Sequence, residues 1–232
     1  SSVADFKMRI FNADGSEAKM CGNGSRCVGK YVFDHNLTSS TNVTLETLSG
    51  VICLRLNPGA DGKVETVEVD MGTPELTPER IPVIVADSHS NRNIEVEACG
   101  RTVSIDAVSM GNPHGVVFVD SLDTTDVAQL GPVLENHPIW PDRANIEFVE
   151  VLTPQKVRMR VWERGSGETM ACGTGACAVA VASILSGRTE AGEITVQLLG
   201  GDLRIAYDTA SGHVFMTGPA TEVFTGTAPL PE

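Results

Sequence analysis

A chain of 232 residues, 41% of them hydrophobic and 20% charged, is long enough to bury a sizeable core as one large domain or two small ones. Its net charge of −13 argues against nucleic acid and anionic membranes as partners, because both reward basic patches. No apolar run approaches the ~18 residues of a spanning helix, and no secretory signal pattern is present.

In chain order, Phe6 to Phe11 alternates as an edge-type strand, and Asn12 to Gly24 is a polar, glycine-rich loop. Ser25 to Asp34 carries Cys27, Val28, Tyr31 and Val32 at helical spacing. Asn42 to Leu48 and Val51 to Leu56 read as two strands around a turn at Ser49-Gly50. Pro78 to Ser90 and Asn91 to Arg101 mark a crossover. Lys156 to Trp162 then reads as a strand and Glu163 to Gly175 as a loop. A helix follows to Ser186, then strands near Ile194 to Leu199 and Leu203 to Tyr207. Ala176 to Leu185 is apolar on every side, which predicts a helix buried all round, an axle inside a wrapped sheet.

The later series of elements copies the earlier one. Cys21-Gly22-Asn23-Gly24 recurs as Cys172-Gly173-Thr174-Gly175, displaced by 151 positions (172 − 21). The same displacement pairs Met8 with Met159, Arg9 with Arg160, Glu17 with Glu168, Thr44 with Thr195 and Gly50 with Gly201. The fold expected is α+β: two pseudo-symmetric domains, residues 1–104 and 105–232, each a mixed β-sheet wrapped around a central apolar helix. The second unit has about 50 residues ahead of its repeated core that the first unit lacks, so a further N-terminal segment is expected to precede this chain.

A cysteine followed by Gly-x-Gly at a helix start lies where unpaired backbone N–H groups and the helix dipole favour negative charge. That placement predicts a thiol pKa lowered from ~8.5 toward neutrality, giving a base usable at pH 7. The glycines let a ligand approach, so the same N–H groups can hold a carboxylate. Two such cysteines facing each other across a pseudo-twofold axis would take a proton from one face of an α-carbon and return one to the other. With no pyridoxal lysine motif or nucleotide loop evident, the reaction expected is racemisation or epimerisation without a cofactor.

Competing patterns carry less. Gly173-x-Gly175-x-x-Ala178 imitates a dinucleotide fingerprint, but the polar loop Gly165 to Ala171 stands where that fingerprint needs a strand. The cysteine spacings do not match zinc knuckles, so no structural metal is expected, and Cys53 and Cys99 read as buried or half-buried thiols. Asn12 and Glu163 follow equivalent strands, as loop caps or as ligand-facing groups. Arg164 reads as one half of a surface ion pair or as a fork for a second carboxylate. Asn112-Pro113-His114 reads as a turn, Asn145 as a strand-start cap, and His35, His89, His137 and His213 as surface residues.

Four segments together resemble the signatures of the diaminopimelate epimerases. They are Phe11-Asn12-Ala13-Asp14-Gly15-Ser16-Glu17, Cys21-Gly22-Asn23-Gly24-Ser25-Arg26-Cys27, Met110-Gly111-Asn112-Pro113-His114, and Glu163-Arg164-Gly165-Ser166-Gly167-Glu168-Thr169-Met170-Ala171-Cys172-Gly173-Thr174-Gly175-Ala176. The resemblance covers essentially the whole chain. It implies two similar domains with the active site in the cleft between them. It also implies that Cys21 and Cys172 are the catalytic pair, interconverting L,L- and meso-diaminopimelate in lysine and peptidoglycan biosynthesis without a cofactor. By the same carry-over, Gly22, Asn23, Gly173 and Thr174 cradle the reacting carboxylate. Asn12, Asn112, Asn145, Glu163 and Arg164 read the distal amino-acid end, and His114 and Glu163 tune the thiols. The partner implied is a small-molecule substrate, the setting the cytoplasm, and the assembly a homodimer. The family's N-terminal His-Gly-x-Gly-Asn-Asp-Phe motif has no counterpart here, and the resemblance ties full activity to that segment. Two other readings stay open. One is a proline or hydroxyproline racemase, which shares the fold and cysteine pair but typically has histidine where Asn23 stands. The other is a small-molecule-binding or thiol redox protein.

Overall fold

Valine and leucine at alternate positions turn the first third of the chain into a sheet with one buried face. The structure is a computed structural model and describes residues 1–11, 15–85 and 90–227. The chain divides into two units, Ser1–Val69 with Gly218–Glu232, and Asp70–Thr217. These are units of packing, whereas the boundary read from the sequence, near residue 105, divides the repeats.

The first unit contains β1 (Phe6–Lys7), β2 (Ile10–Phe11), β3 (Glu17–Ala18), α1 (Gly22–Asp34), β4 (Asn42–Thr47), β5 (Gly50–Pro58) and β6 (Val64–Asp70). Its main sheet runs β1-β4-β5-β6, with β1 parallel to β4 and the other pairs antiparallel; β2 and β3 form a separate hairpin. Val43, Leu45, Leu54, Leu56, Val64, Val67 and Val69 form its buried face. Helix α1 lies closely on β5. A Cβ at Gly29 would stand 2.8 Å from Leu56 Cδ2 and 3.0 Å from Leu54 Cδ1, so any larger residue there requires these leucine methyls to give way. The helix ends as Asn36 takes a φ of 58° and the Leu37 N–H turns back to Val32 O at 2.8 Å. Residues from the far end of the chain complete the unit: Arg26 Nε donates to Pro219 O at 3.2 Å, and the Ala220 N–H to Glu65 O at 3.4 Å.

The second unit contains a one-turn 3₁₀ helix at Pro78–Arg80, then β7 (Ile94–Ala98), β8 (Arg101–Ser109), β9 (Pro113–Phe118), α2 (Val127–Glu135), β10 (Asn145–Thr153), β11 (Lys156–Glu163), β12 (Gly167–Thr169), α3 (Gly173–Leu185), β13 (Gly192–Leu198), β14 (Gly201–Tyr207) and β15 (Val214–Pro219). Its strands run β15-β14-β13-β11-β10-β9-β8-β7, with β12 attached to β11. The β9-β10 and β11-β13 pairs are parallel and the rest antiparallel, so the sheet is mixed. Every residue of α3 from Gly175 to Ser183 is buried, as an all-apolar helix requires. A second core joins Leu130 and Leu134 of α2 to Ile105, Ile146, Phe148 and Trp140.

The repeat holds at the level of strand register. Phe6 pairs with Leu45 as Val157 pairs with Val196, Ile10 with Ala18 as Val161 with Thr169, and Leu45 with Ile52 as Val196 with Leu203. Each of these correspondences is a shift of 151 positions (157 − 6). Two differences stand out. The strand that is continuous as β11 is broken into β1 and β2 in the first unit. Helix α1, moreover, buries only one side and leaves Cys27 and Tyr31 exposed, so the all-apolar central helix belongs to the second unit alone. Cys53 and Cys99 are exposed, against the buried or half-buried thiols read from the sequence. Cys53 falls on the outer face of β5, and Cys99 sits in the β7-β8 turn at a φ of 52°. Among the described residues no cysteine is joined in a disulfide, and no helix is long and apolar enough to cross a membrane.

Candidate active site

Each repeat builds the same small device. Cys21 caps α1 in extended conformation, and its sulfur accepts the Gly24 N–H at 3.3 Å; Cys172 caps α3 and accepts the Gly175 N–H at 3.4 Å. A β-hairpin tip steadies the approach to each cysteine: the Ser49 N–H bonds Lys19 O at 3.2 Å, and the Gly200 N–H bonds Met170 O at 2.7 Å. On the other side, Arg9 grips Glu17 through two nitrogens at 2.9 and 3.1 Å, and Arg160 grips Glu168 at 2.6 and 2.9 Å. These contacts fix where each thiol leaves the backbone.

In the first unit, Gly22 and Asn23 open α1 beside Cys21, as expected. The buried Oδ1 of Asn23 has no hydrogen-bond partner among the described residues. Ser25 Oγ donates to Cys21 O at 2.9 Å, bracing the first turn. Asn12 lies outside the described residues, as does His89.

In the second unit the remaining candidates converge. The parallel register of β9 and β10 sets His114 beside Asn145, and the β10-β11 register sets Ile146 opposite Trp162, one step from Asn145 and Glu163. His114 is wholly buried. Its Nδ1 lies 2.7 Å from Glu147 Oε1 and its Nε2 3.2 Å from Asn112 Oδ1. Asn145 Oδ1 accepts the backbone N–H of Arg164 at 2.8 Å, so Asn145 pins the turn as well as opening its strand. The Arg164 side chain is exposed, with Nη1 donating to Asp142 O at 3.0 Å. Glu163 Oε1 accepts from Thr169 Oγ1, and Thr174 Oγ1 lies 3.4 Å from the Cys172 sulfur, beside Gly173.

Sequence reasoning missed two buried acids. Glu135, from the end of α2, accepts from Trp162 Nε1 at 2.8 Å, the Gly165 N–H at 2.8 Å and Arg143 Nη1 at 3.1 Å, and so holds the turn that carries Arg164. Glu147 faces His114 and the start of α3. Neither shows a local signal, since each acid finds its partners on other elements.

The electrostatics of Cys172 correct a second expectation. The thiol is not lowered toward neutrality; burial first, and then the charges of Glu147 and Glu163, push it up to about 12. The Thr174 hydroxyl and the Gly175 N–H act in the opposite sense and are outweighed. At neutral pH Cys172 is therefore held as the thiol.

This arrangement of strands and helices is an α+β fold shared with solved structures. A hydroxyproline epimerase from Agrobacterium vitis, solved with trans-4-hydroxy-L-proline bound, superposes at a TM-score of 0.64 with 18% identity, covering 92% of this chain and 67% of that one. A phenazine biosynthesis protein from Bacillus anthracis superposes at 0.63 with 18% identity, covering 94% and 79%. The sequence pattern of diaminopimelate epimerase matches residues 1–77 and 106–223. A diaminopimelate epimerase from Acetivibrio thermocellus is 53% identical over 232 residues, all of this chain and 82% of the relative. Another from Phocaeicola vulgatus is 54% identical over 228 residues, 97% of this chain and 79% of the relative. The chain belongs to the diaminopimelate epimerase family and is an isomerase.

Proposed function

We propose that the protein interconverts L,L- and meso-diaminopimelate without a cofactor, with Cys21 and Cys172 as its acid/base pair. The observation that carries this is the duplicated cysteine cap: two thiols, each at a helix N-terminus and each bonded to the N–H three residues on. In one direction the Cys21 thiolate removes the α-proton and the Cys172 thiol delivers another to the opposite face. The reverse direction exchanges the roles. The resting protonation of Cys172 supports this assignment. The N–H groups at Gly22-Asn23 and Gly173-Thr174 hold the reacting carboxylate, whose negative charge grows as the α-proton leaves. Arg164, exposed on a turn braced by Asn145 and Glu135, takes the distal carboxylate, while Asn12, Asn112, Asn145 and Glu163 join it in reading the distal amino-acid end. His114 and Glu163 tune the thiols. The two sequence repeats, 1–104 and 105–232, each supply one cysteine. A cytoplasmic homodimer is the setting and assembly that this reading carries, with the family resemblance as its support.

Incubation with L,L-diaminopimelate in D₂O under reducing conditions tests the reading. The α-proton signal should disappear as the meso isomer forms, and Cys21→Ser and Cys172→Ser should each slow this by roughly 10²–10⁴-fold. Retention of the α-proton by the unmodified protein would remove the assignment. Exchange on proline instead would favour the racemase alternative.

A further inference from the structure

Strand β10 carries an ionisable side chain where core residues flank it on both sides. Glu147 lies between Ile146 and Phe148, and all three are 0% exposed. Glu147 Oε1 is 2.7 Å from Nδ1 of His114, a ring that is also 0% exposed, while Oε2 is buried with no hydrogen-bond partner among the described residues. A Cβ on Gly175 would stand 2.7 Å from Glu147 Oε1. The carboxylate thus lies against the residue whose N–H donates to the Cys172 sulfur. Enclosing an acid this way carries a desolvation cost that an apolar residue at the same place would avoid. Glycine at 175 leaves the space the acid occupies.

We propose that Glu147 is a positioning residue of the Cys172 centre: it fixes the His114 ring with Nδ1–H directed at its carboxylate, and it sets a negative charge beside the start of α3, where Cys172 caps the helix. The functional part of this inference rests on the reading of Cys172 as one of the two acid/base groups. The charged groups acting on the Cys172 sulfur are Glu147 and Glu163, opposed by the Thr174 hydroxyl and the Gly175 N–H. Glu147 alone among these also touches the histidine, so it links the state of the ring to that of the thiol.

Two readouts on the whole chain test it. Glu147→Gln preserves shape and an acceptor for His114 while removing the charge. In that variant the pH curve for iodoacetamide modification of Cys172, followed by peptide mass spectrometry, should move down by about one unit, a roughly tenfold faster reaction at fixed pH. Buried Cys177 should stay as slow as before. An unmoved Cys172 curve, or equal acceleration of Cys177, overturns the proposal. In the unmodified protein, ¹⁵N spectra should show His114 protonated at Nδ1; an unprotonated Nδ1 overturns it as well and decides the matter even if the variant does not fold. Turnover of diaminopimelate by the unmodified protein is measured separately. Its absence would fail the epimerase reading, while the two readouts would still judge Glu147.

Discussion

Cys172 holds its proton in the folded state far above the pH at which an unfolded thiol gives it up, about 12 against an ordinary value of 9.0. Because the folded pKa is raised, the associated stability is present in full below pH 9 and is lost as pH rises from 9 toward 12. Melting temperatures followed from pH 7 to 11 should therefore fall more steeply for the unmodified protein than for Cys172→Ala. Parallel curves would show that this thiol does not contribute. The helix-start frame of both cysteines was legible in the sequence, but the direction of this shift was not. A local argument sees the N–H groups of α3; it does not see burial inside a wrapped sheet, nor carboxylates delivered by β11 and β10 from nine and twenty-five positions upstream (172 − 163 and 172 − 147). Glu147 stayed hidden for the same reason, since a glutamate in Asn-Ile-Glu-Phe looks like the solvent side of a strand.

At the scale of elements, two helices at equivalent places solve different packing problems. Helix α3 is enclosed and carries alanine and valine on all sides, a pattern plain in its run of residues. Helix α1 covers one face only and relies on a single missing side chain to seat itself. Gly29→Val should force the helix off β5 and cost about 1–3 kcal/mol, read as a lower urea midpoint at unchanged slope. A midpoint unaltered by the added methyls would mean that α1 is not held at the depth described. Helix α2 escaped the sequence reading although Asp126 caps it through the Gln129 N–H at 3.0 Å. Pro132 inside it looks like a breaker, yet the helix continues to Glu135, the residue that grips the Arg164 turn. The register of both repeats, by contrast, followed from one offset, because residues spaced alike along two chains alternate alike across two sheets.

At the scale of the whole molecule, the chain path is discontinuous: the first unit draws on residues before Asp70 and on residues after Thr217, while the second is taken from the stretch between. Truncation after Thr217 removes the carbonyl that receives Arg26 and the strand end beside Glu65. Hydrogen exchange should then lose protection across β4, β5 and β6 while β8 to β11 keep theirs; an even loss throughout would show that the units do not hold separately. The interrupted path also orders events in time. A chain emerging from the ribosome exposes the first unit's strands early but lacks their closing segment until residues beyond 217 have emerged, whereas the second unit has all its parts by then. Residues 70–217 can fold while the strands ahead of them wait for their last partner, and a nascent chain stalled short of residue 218 would carry one cysteine cap finished and the other unfastened.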